Sequence, residues 1–134
     1  MDIKLIYPRL AAAVNARDLD ILDQLISPQI VNHGADPSDP PGAERFKRNF
    51  RVLIAAFPDF QITVEDQVAA GDKVVVRWTD TGTHLGEFAG AAPTGKPLLL
   101  TGIDILRIAG GRIVERWSEY DMLSVVEELG VVHR

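Results

Sequence analysis

Residues 98 to 108 read Leu-Leu-Leu-Thr-Gly-Ile-Asp-Ile-Leu-Arg-Ile, and this stretch places one carboxylate, Asp104, in the middle of a largely apolar strand. Taking a charge out of water is costly unless the charge is paired, hydrogen-bonded or neutralised. Asp104 therefore either holds the structure together or takes part in chemistry. It is the first candidate functional residue of the chain.

The turn after this strand decides which side chains share a face with Asp104, and the sequence allows two registers. A two-residue turn at Gly110 and Gly111 would place Trp117 opposite Asp104. A three-residue loop with Gly111 in the left-handed conformation would place Arg116 there instead. The residue pattern alone does not choose between the two.

The three-residue loop would divide this hairpin into two faces. One face would carry Gly102, Asp104, Leu106, Val114, Arg116, Ser118 and Tyr120, and the other Ile103, Ile105, Ile113 and Trp117. Both faces hold residues that are typical of buried positions, so both need cover. Helices around a pocket would cover the first face, and a second copy of the chain is the simplest cover for the second.

The hydrophobic period changes from helical to alternating at Pro58. Helical spacing predicts helices over residues 2–16, from Asp18 to residue 26 and over residues 43–57. Alternation predicts strands over residues 60–65, 73–79, 98–108 and 112–121, after a short strand at residues 29–33, while residues 122–129 could form a short helix or an edge strand. Helices followed by antiparallel strands predict one α+β domain over residues 1–134, with helices on one face of a curved sheet.

Composition limits the function classes. The net charge of −5 comes without a cluster of Lys and Arg, which argues against nucleic acid or an anionic membrane as partner. The absence of cysteine excludes disulfides and thiol nucleophiles. No apolar run approaches the roughly 20 residues that a membrane span needs. We expect a cytoplasmic protein whose partner is a small molecule or another protein chain.

Several stretches of the chain resemble the SnoaL-like polyketide cyclases, also called ester cyclases, of the NTF2-like superfamily. The stretches are Gly82 to Lys96, Gly102 to Ile108, Gly111 to Asp121, Asn32-His33-Gly34 and Ala56-Phe-Pro-Asp59. The resemblance implies an NTF2-like α+β cone in which helices and a strongly curved, mostly antiparallel sheet enclose a deep apolar pocket. It also implies that no cofactor is used, and that a homodimer forms through the outer sheet face, which holds Ile103, Ile105 and Trp117.

The resemblance carries over to individual residues only in part. Where the cyclases have a catalytic histidine and aspartate, this chain has Asp104 and Ser118. The segment around Asp104 is also similar to the one that bears the oxyanion-stabilising aspartic acid of ketosteroid isomerases. In that comparison His33 occupies the position of the general base and Tyr120 that of a pocket aromatic, while Leu10 replaces the isomerases' tyrosine donor. The superfamily resemblance also favours the three-residue loop, because that register puts Asp104, Ser118 and Tyr120 in one cavity.

These observations predict a site. We expect Asp104 and His33 to form an acid–base pair, because His33 adjoins a Gly/Pro-rich loop, Gly34 to Gly42, interpreted as a lid or rim. We expect the substrate to be held by Arg116, Ser118, Tyr120 and Trp78. A structural ion pair of Asp104 with Arg116 or Arg107, and core packing of the two aromatic side chains, are the alternatives. The three histidines, His33, His84 and His133, lack metal-ligand spacing, so we expect no metal.

The functional hypothesis is a cofactor-independent enzyme that cyclises, isomerises or hydrates a small, apolar, oxygenated, polyketide-like molecule. The alternative is a non-catalytic protein of the same fold that binds a small molecule or serves in dimerisation. An enzyme needs the acid–base pair within reach of one substrate, whereas a binding protein needs only shape and one or two polar anchors.

Overall fold

A computed structural model describes residues 2–130 of the chain, and His133 lies outside the described residues. The described residues form an α+β fold, as the sequence predicts. Its helices are α1 (Ile6–Asn15), α2 (Leu22–Leu25), α3 (Ala43–Ala56) and α4 (Met122–Glu128), with short 3-10 turns at Ile3–Leu5 and Leu19–Ile21. Its strands are β1 (Ile26–Asn32), β2 (Gln61–Ala70), β3 (Lys73–Thr83), β4 (Pro97–Ala109) and β5 (Arg112–Tyr120). No helix in this part of the chain is long and apolar enough to cross a membrane.

The five strands form one curved, unclosed sheet in the order β1-β5-β4-β3-β2. Strands β2 to β5 run antiparallel to their neighbours, and β1 joins the edge of the sheet parallel to β5. The sheet is therefore mostly antiparallel, as expected. The two faces of the sheet carry different sets of side chains, because successive side chains of a strand point to opposite faces.

The core lies between the helices and the inner face of the sheet. Ile6, Leu10 and Val14 recur at helical spacing along α1 and are fully buried there, and Phe46 contributes from α3. Burying a side chain of this size stabilises a fold by about 1.5–3 kcal/mol relative to leaving it exposed. This row of apolar side chains fixes α1 against the sheet.

The second predicted helix is shorter than the sequence pattern indicates. It ends at Leu25, and β1 begins at Ile26, three residues before the predicted strand. Pro28 lies inside β1, where its missing N–H is tolerated because β1 is an edge strand. Strand β3 continues to Thr83, four residues beyond the predicted end, and the tail forms the helical alternative, α4.

The observed register of the β4–β5 hairpin matches neither predicted alternative. The two-residue turn forms and pairs Ala109 with Arg112, but Val114 is an extra residue without a partner in β4. This bulge shifts the pairing by one, so Ser118 lies opposite Asp104. Ile113, between the turn and the bulge, pairs with Ile108 and lies on the inner face, where it is 1% exposed, which corrects its expected place on the outer face.

Candidate functional site

A cavity of about 460 Å³ opens between the helices and the inner face of the sheet. This volume lies in the range that is typical of sites for small molecules. Most of the lining is apolar or aromatic and includes Tyr7, Phe46, Phe50, Leu53, Ile62, Trp78, Phe88, Leu100 and Met122. The polar lining is small and includes His33, Asp39, Arg45, Asn49, Asp80, Arg116 and Ser118.

Strand register arranges the inner-face residues in successive layers. Arg116 of β5 pairs with Leu106, and Ser118 pairs with Asp104 in the next layer. The following layers hold Trp78, Gly102 and Tyr120, and then Ile62, Asp80 and Leu100. The predicted site residues of β3, β4 and β5 therefore do share one face.

Asp80 is a site residue that the sequence analysis missed. It is 5% exposed, lines the cavity, and its Oδ1 atom is buried without a hydrogen-bond partner. Burial, together with the smaller effect of the nearby negative charge of Asp104, raises the pKa of the Asp80 carboxyl to about 8. A carboxyl group with this pKa is mostly protonated at pH 7 and can donate a hydrogen bond or a proton to a ligand.

Tyr7 of α1 is the second missed residue. It is buried, lines the cavity, and lies one helical turn before Leu10 on α1. Burial raises the pKa of the Tyr7 phenol well above 10, and the charges of Asp104 and Asp80 act in the same direction. The phenol is therefore neutral at ordinary pH and can serve as a hydrogen-bond donor.

Asp104 lies on the expected face but does not line the main cavity. It is 1% exposed and borders a small adjoining cavity of about 20 Å³, which shares Tyr7, Phe46, Phe50 and Arg116 with the main one. Its Oδ1 accepts hydrogen bonds from Trp78 Nε1 at 3.1 Å and from Ser118 Oγ at 2.5 Å, and its Oδ2 accepts one from Arg116 Nε at 2.9 Å. The structure thus surrounds this carboxylate with donors.

Arg116 pairs with Asp104, as one of the alternative readings of Asp104 predicts, while Arg107 pairs with Glu115 instead. The Arg116 guanidinium lies over the Phe46 ring, with Cζ 5.1 Å from the ring centroid, and its Nη1 donates to Asn32 Oδ1 at 3.4 Å. Arg116 is largely buried and lines the cavity. It therefore presents a cation whose charge is balanced by Asp104.

Trp78 and Tyr120 contribute aromatic surface to the cavity. Their ring centroids are 6.4 Å apart with an interplanar angle of 43°. Trp78 is buried, whereas Tyr120 is half exposed, which places it at the open side of the cavity. Both lie where a flat ligand could contact them.

His33 borders the cavity at its rim, but its side chain, which is 44% exposed, turns to the outer face of the sheet, where Glu115 and Trp117 lie. Its Nε2 is 2.7 Å from Glu115 Oε2, and its ring stacks on Trp117 with a centroid distance of 4.8 Å. A carboxylate can only accept, so Nε2 carries the hydrogen and Nδ1 is the nitrogen left to take up a proton. The hydrogen bond from His33, followed by that from Arg107, lowers the pKa of Glu115, which keeps Glu115 ionised.

The loop from Gly34 to Gly42 forms part of the rim, as its composition predicts. Asp39 on this loop accepts a hydrogen bond from Arg45 Nε at 2.9 Å and also pairs with Arg48, both on α3. The Arg45 bond is the main cause of the lowered pKa of Asp39. These ion pairs attach the loop to α3 beside the cavity. Among residues 2–130, no three His, Asp or Glu side chains are grouped as a metal site.

Comparison with known protein families matches nearly all of the described residues to one family. The family model described as SnoaL-like polyketide cyclase matches residues 4–129. Among solved structures, IdmH of Streptomyces antibioticus, described as a proposed polyketide cyclase, is 36% identical, with a TM-score of 0.83 over 98% of this chain and 100% of that one.

Two further structures are similar. TsrD of Streptomyces laurentii is 28% identical, with a TM-score of 0.86 over 97% of this chain and 96% of that one. AclR of Streptomyces galilaeus, described as a proposed hydroxylase, is 30% identical, with a TM-score of 0.84 over 99% of this chain and 87% of that one. No curated protein matches the chain.

Proposed function

Because the chain belongs to the SnoaL-like polyketide cyclase family, we propose that it is an enzyme of polyketide-related metabolism in which Asp80 donates a proton to a carbonyl oxygen of the substrate. One observation supports the proposal most strongly: a buried, unpartnered carboxyl group with a pKa of about 8 lines a mostly apolar cavity. Such a group is a general acid near its working pH.

The proposed chemistry is proton transfer on an apolar, oxygenated molecule, leading to cyclisation, isomerisation or hydration. In a cyclisation, a proton from the carbon next to a carbonyl group would pass to His33 through a water at the rim, because the His33 ring faces the outer side of the sheet. Asp80 would protonate the oxygen of the carbonyl that this carbon attacks, so that the oxygen becomes a hydroxyl group. We propose that these transfers need no cofactor.

The roles of the other residues follow from where they lie. Arg116 and Ser118 offer polar contacts to substrate oxygens, and Trp78 and Tyr120 offer aromatic faces. Asp104, for which a catalytic role is predicted from the sequence, lies behind these residues. We assign the proton-donating role to Asp80 because its carboxyl group has no partner, whereas that of Asp104 has three.

The test measures acid–base chemistry on α-tetralone, a bicyclic ketone that fits an apolar cavity. Deuterium exchange next to its carbonyl group is followed in D2O for the wild-type protein and for Asp80→Asn. We expect the variant to lose roughly 100- to 10,000-fold in rate. The wild-type rate should fall as the pH rises through about 8, because Asp80 then loses its proton.

The matched control is Asp121→Asn, which changes an exposed carboxylate that caps α4. Its exchange rate should equal that of the wild type. Binding of α-tetralone without any catalysed exchange would instead favour the alternative, a non-catalytic protein that binds small molecules.

We also propose that the outer face of the sheet is a dimer interface. Val68, Val75, Ile105 and Trp117 pair in one row across β2, β3, β4 and β5. Val68, Val75 and Ile105 are 62%, 37% and 38% exposed, and Ile103 beside the row is also exposed. We propose that a second copy of the chain covers this row, because an apolar surface that crosses four strands is unfavourable in water.

A further inference from the structure

We infer that Asp104 is a positioning residue, whose carboxylate fixes the Trp78 indole as a flat binding surface on the floor of the cavity. The inference rests on the proposed function for the reaction that this surface serves. The orientation of the indole can nevertheless be measured without any reaction.

The indole of Trp78 lies along the sheet because Gly102 has no side chain. A Cβ atom at Gly102 would come within 2.3 Å of Trp78 Cζ2 and 2.8 Å of Cε2. Gly102 is the β4 partner of Trp78, and neighbouring strands are about 4.8 Å apart, so the ring crosses β4 instead of standing up from β3. One face of the ring rests on the backbone, and the opposite face is available to the cavity.

Asp104 supplies the contact that holds the ring in this orientation. The only polar atom of an indole is Nε1, and the Nε1–H of Trp78 donates to Asp104 Oδ1 at 3.1 Å in a buried hydrogen bond. Without that acceptor the N–H group would be buried and unsatisfied, which costs about 1–3 kcal/mol. The flat orientation is therefore the one in which the Nε1–H group of Trp78 has a hydrogen-bond acceptor.

The same carboxylate orients two more side chains that line the cavity. Ser118 donates to Oδ1 and Arg116 donates to Oδ2. All three donors, Trp78 included, line the main cavity, whereas Asp104 does not. Asp104 therefore acts on a ligand through these three side chains, whereas the carboxyl group of Asp80 itself lines the cavity.

The test compares the wild type with Asp104→Asn and Gly102→Ala. The first leaves one acceptor oxygen for three donors, and the second displaces the indole without changing Asp104. Because Asp104→Asn weakens a buried ion pair and can destabilise the fold, Gly102→Ala provides an independent test. Thr101→Ala is the matched control, since Thr101 lies beside Gly102 in β4 with an exposed side chain on the outer face.

The first measurement is the Trp78 indole N–H signal in ¹⁵N–¹H spectra, distinguished from that of Trp117 with a Trp117→Phe variant. In the wild type we expect slow exchange of this hydrogen with solvent. Both site variants should shift the signal and speed its exchange at least about tenfold, because the buried hydrogen bond is weakened or lost. The second measurement is α-tetralone affinity, which should fall roughly 3- to 10-fold, the range expected for a lost aromatic contact.

The outcomes separate the two proposals. If α-tetralone exchange is catalysed, its fall with rising pH should persist in Asp104→Asn, at a lower pH because the charge of Asp104 no longer raises the pKa of Asp80, and should disappear in Asp80→Asn. If no exchange is catalysed, the proposed function fails, but the indole signal and the affinity still test the inference. An unchanged indole signal with wild-type affinity in both site variants would overturn it, as would the absence of α-tetralone binding to the wild type.

Discussion

Replacing Asp80 by Asn should stabilise the folded protein at neutral pH even though it removes the proposed catalytic acid. The carboxyl group of Asp80 has a pKa of about 8 in the folded protein, against 3.8 for an unperturbed aspartate. Between these values the folded state binds a proton that the unfolded state has released. Folding therefore becomes less favourable as the pH rises from about 4 to about 8.

The size of this effect follows from the pKa difference. One pKa unit corresponds to about 1.4 kcal/mol, so keeping Asp80 protonated at pH 7 costs the folded state up to about 4 kcal/mol. Asparagine has a similar shape and no proton to bind. Asp80→Asn should thus raise the free energy of unfolding by up to about 4 kcal/mol at pH 7, or the melting temperature by roughly 10–15 °C.

Urea unfolding at pH 4, 7 and 9 provides the measurement. The difference between the wild type and Asp80→Asn should be near zero at pH 4, grow through pH 7 and level off above pH 8. The control Asp121→Asn should show no such gain, because hydrogen bonds from Ser124 lower the pKa of Asp121 instead of raising it. A difference for Asp80→Asn that is the same at all three pH values would refute the reasoning.

Three further predictions concern the outer face, the rim and His33. Ile105→Lys should weaken self-association roughly 100-fold or more in sedimentation analysis, because it places a charge in the apolar row, while Leu123→Lys on α4 should not; equal association of both variants would argue against the proposed dimer face. Asp39→Asn should weaken the ion pairs with Arg45 and Arg48 and speed hydrogen exchange in residues 34–42, with little change in global stability; unchanged protection of that loop would contradict its attachment through Asp39. Glu115→Gln should lower the rate of α-tetralone exchange up to about 100-fold with little change in affinity, since it removes the carboxylate that orients His33; a wild-type rate would show that His33 is not the base.

Much of the fold could be predicted from periodicity, but the register could not. Two adjacent glycines permit either a two-residue or a three-residue turn, and both predicted registers assume regular strands after the turn. The bulge at Val114 could not be predicted from the residue type, because Val fits a regular strand equally well. One extra residue was enough to place Ser118, and neither Trp117 nor Arg116, opposite Asp104.

Strand alternation predicts the part of the site that lies on β4 and β5, but it missed Asp80 on β3. Asp104 stands out because it interrupts an apolar run, and its shared face with Arg116 and Ser118 follows from alternation. Asp80 is in phase with Val74, Val76 and Trp78 on β3, but the predicted strand ended at Thr79, one residue too early. Continuing the alternation by one residue would have identified it.

Tyr7 could not be identified as a cavity residue from the sequence, for a different reason. An amphipathic helix buries a stripe at least about 100° wide, and Tyr7 lies next to Ile6 within that stripe on α1. Its burial is therefore consistent with simple core packing. That its phenol borders the cavity depends on how α1 sits on the sheet, which is a property of the tertiary structure.

The most direct test of the central claim is a titration of the Asp80 carboxyl group by ¹³C NMR, with Asp80→Asn used to assign the signal. The account predicts a midpoint near pH 8 in the protein without ligand. A midpoint near 4 would show that Asp80 is ionised throughout the neutral range, and the proposed acid would not exist.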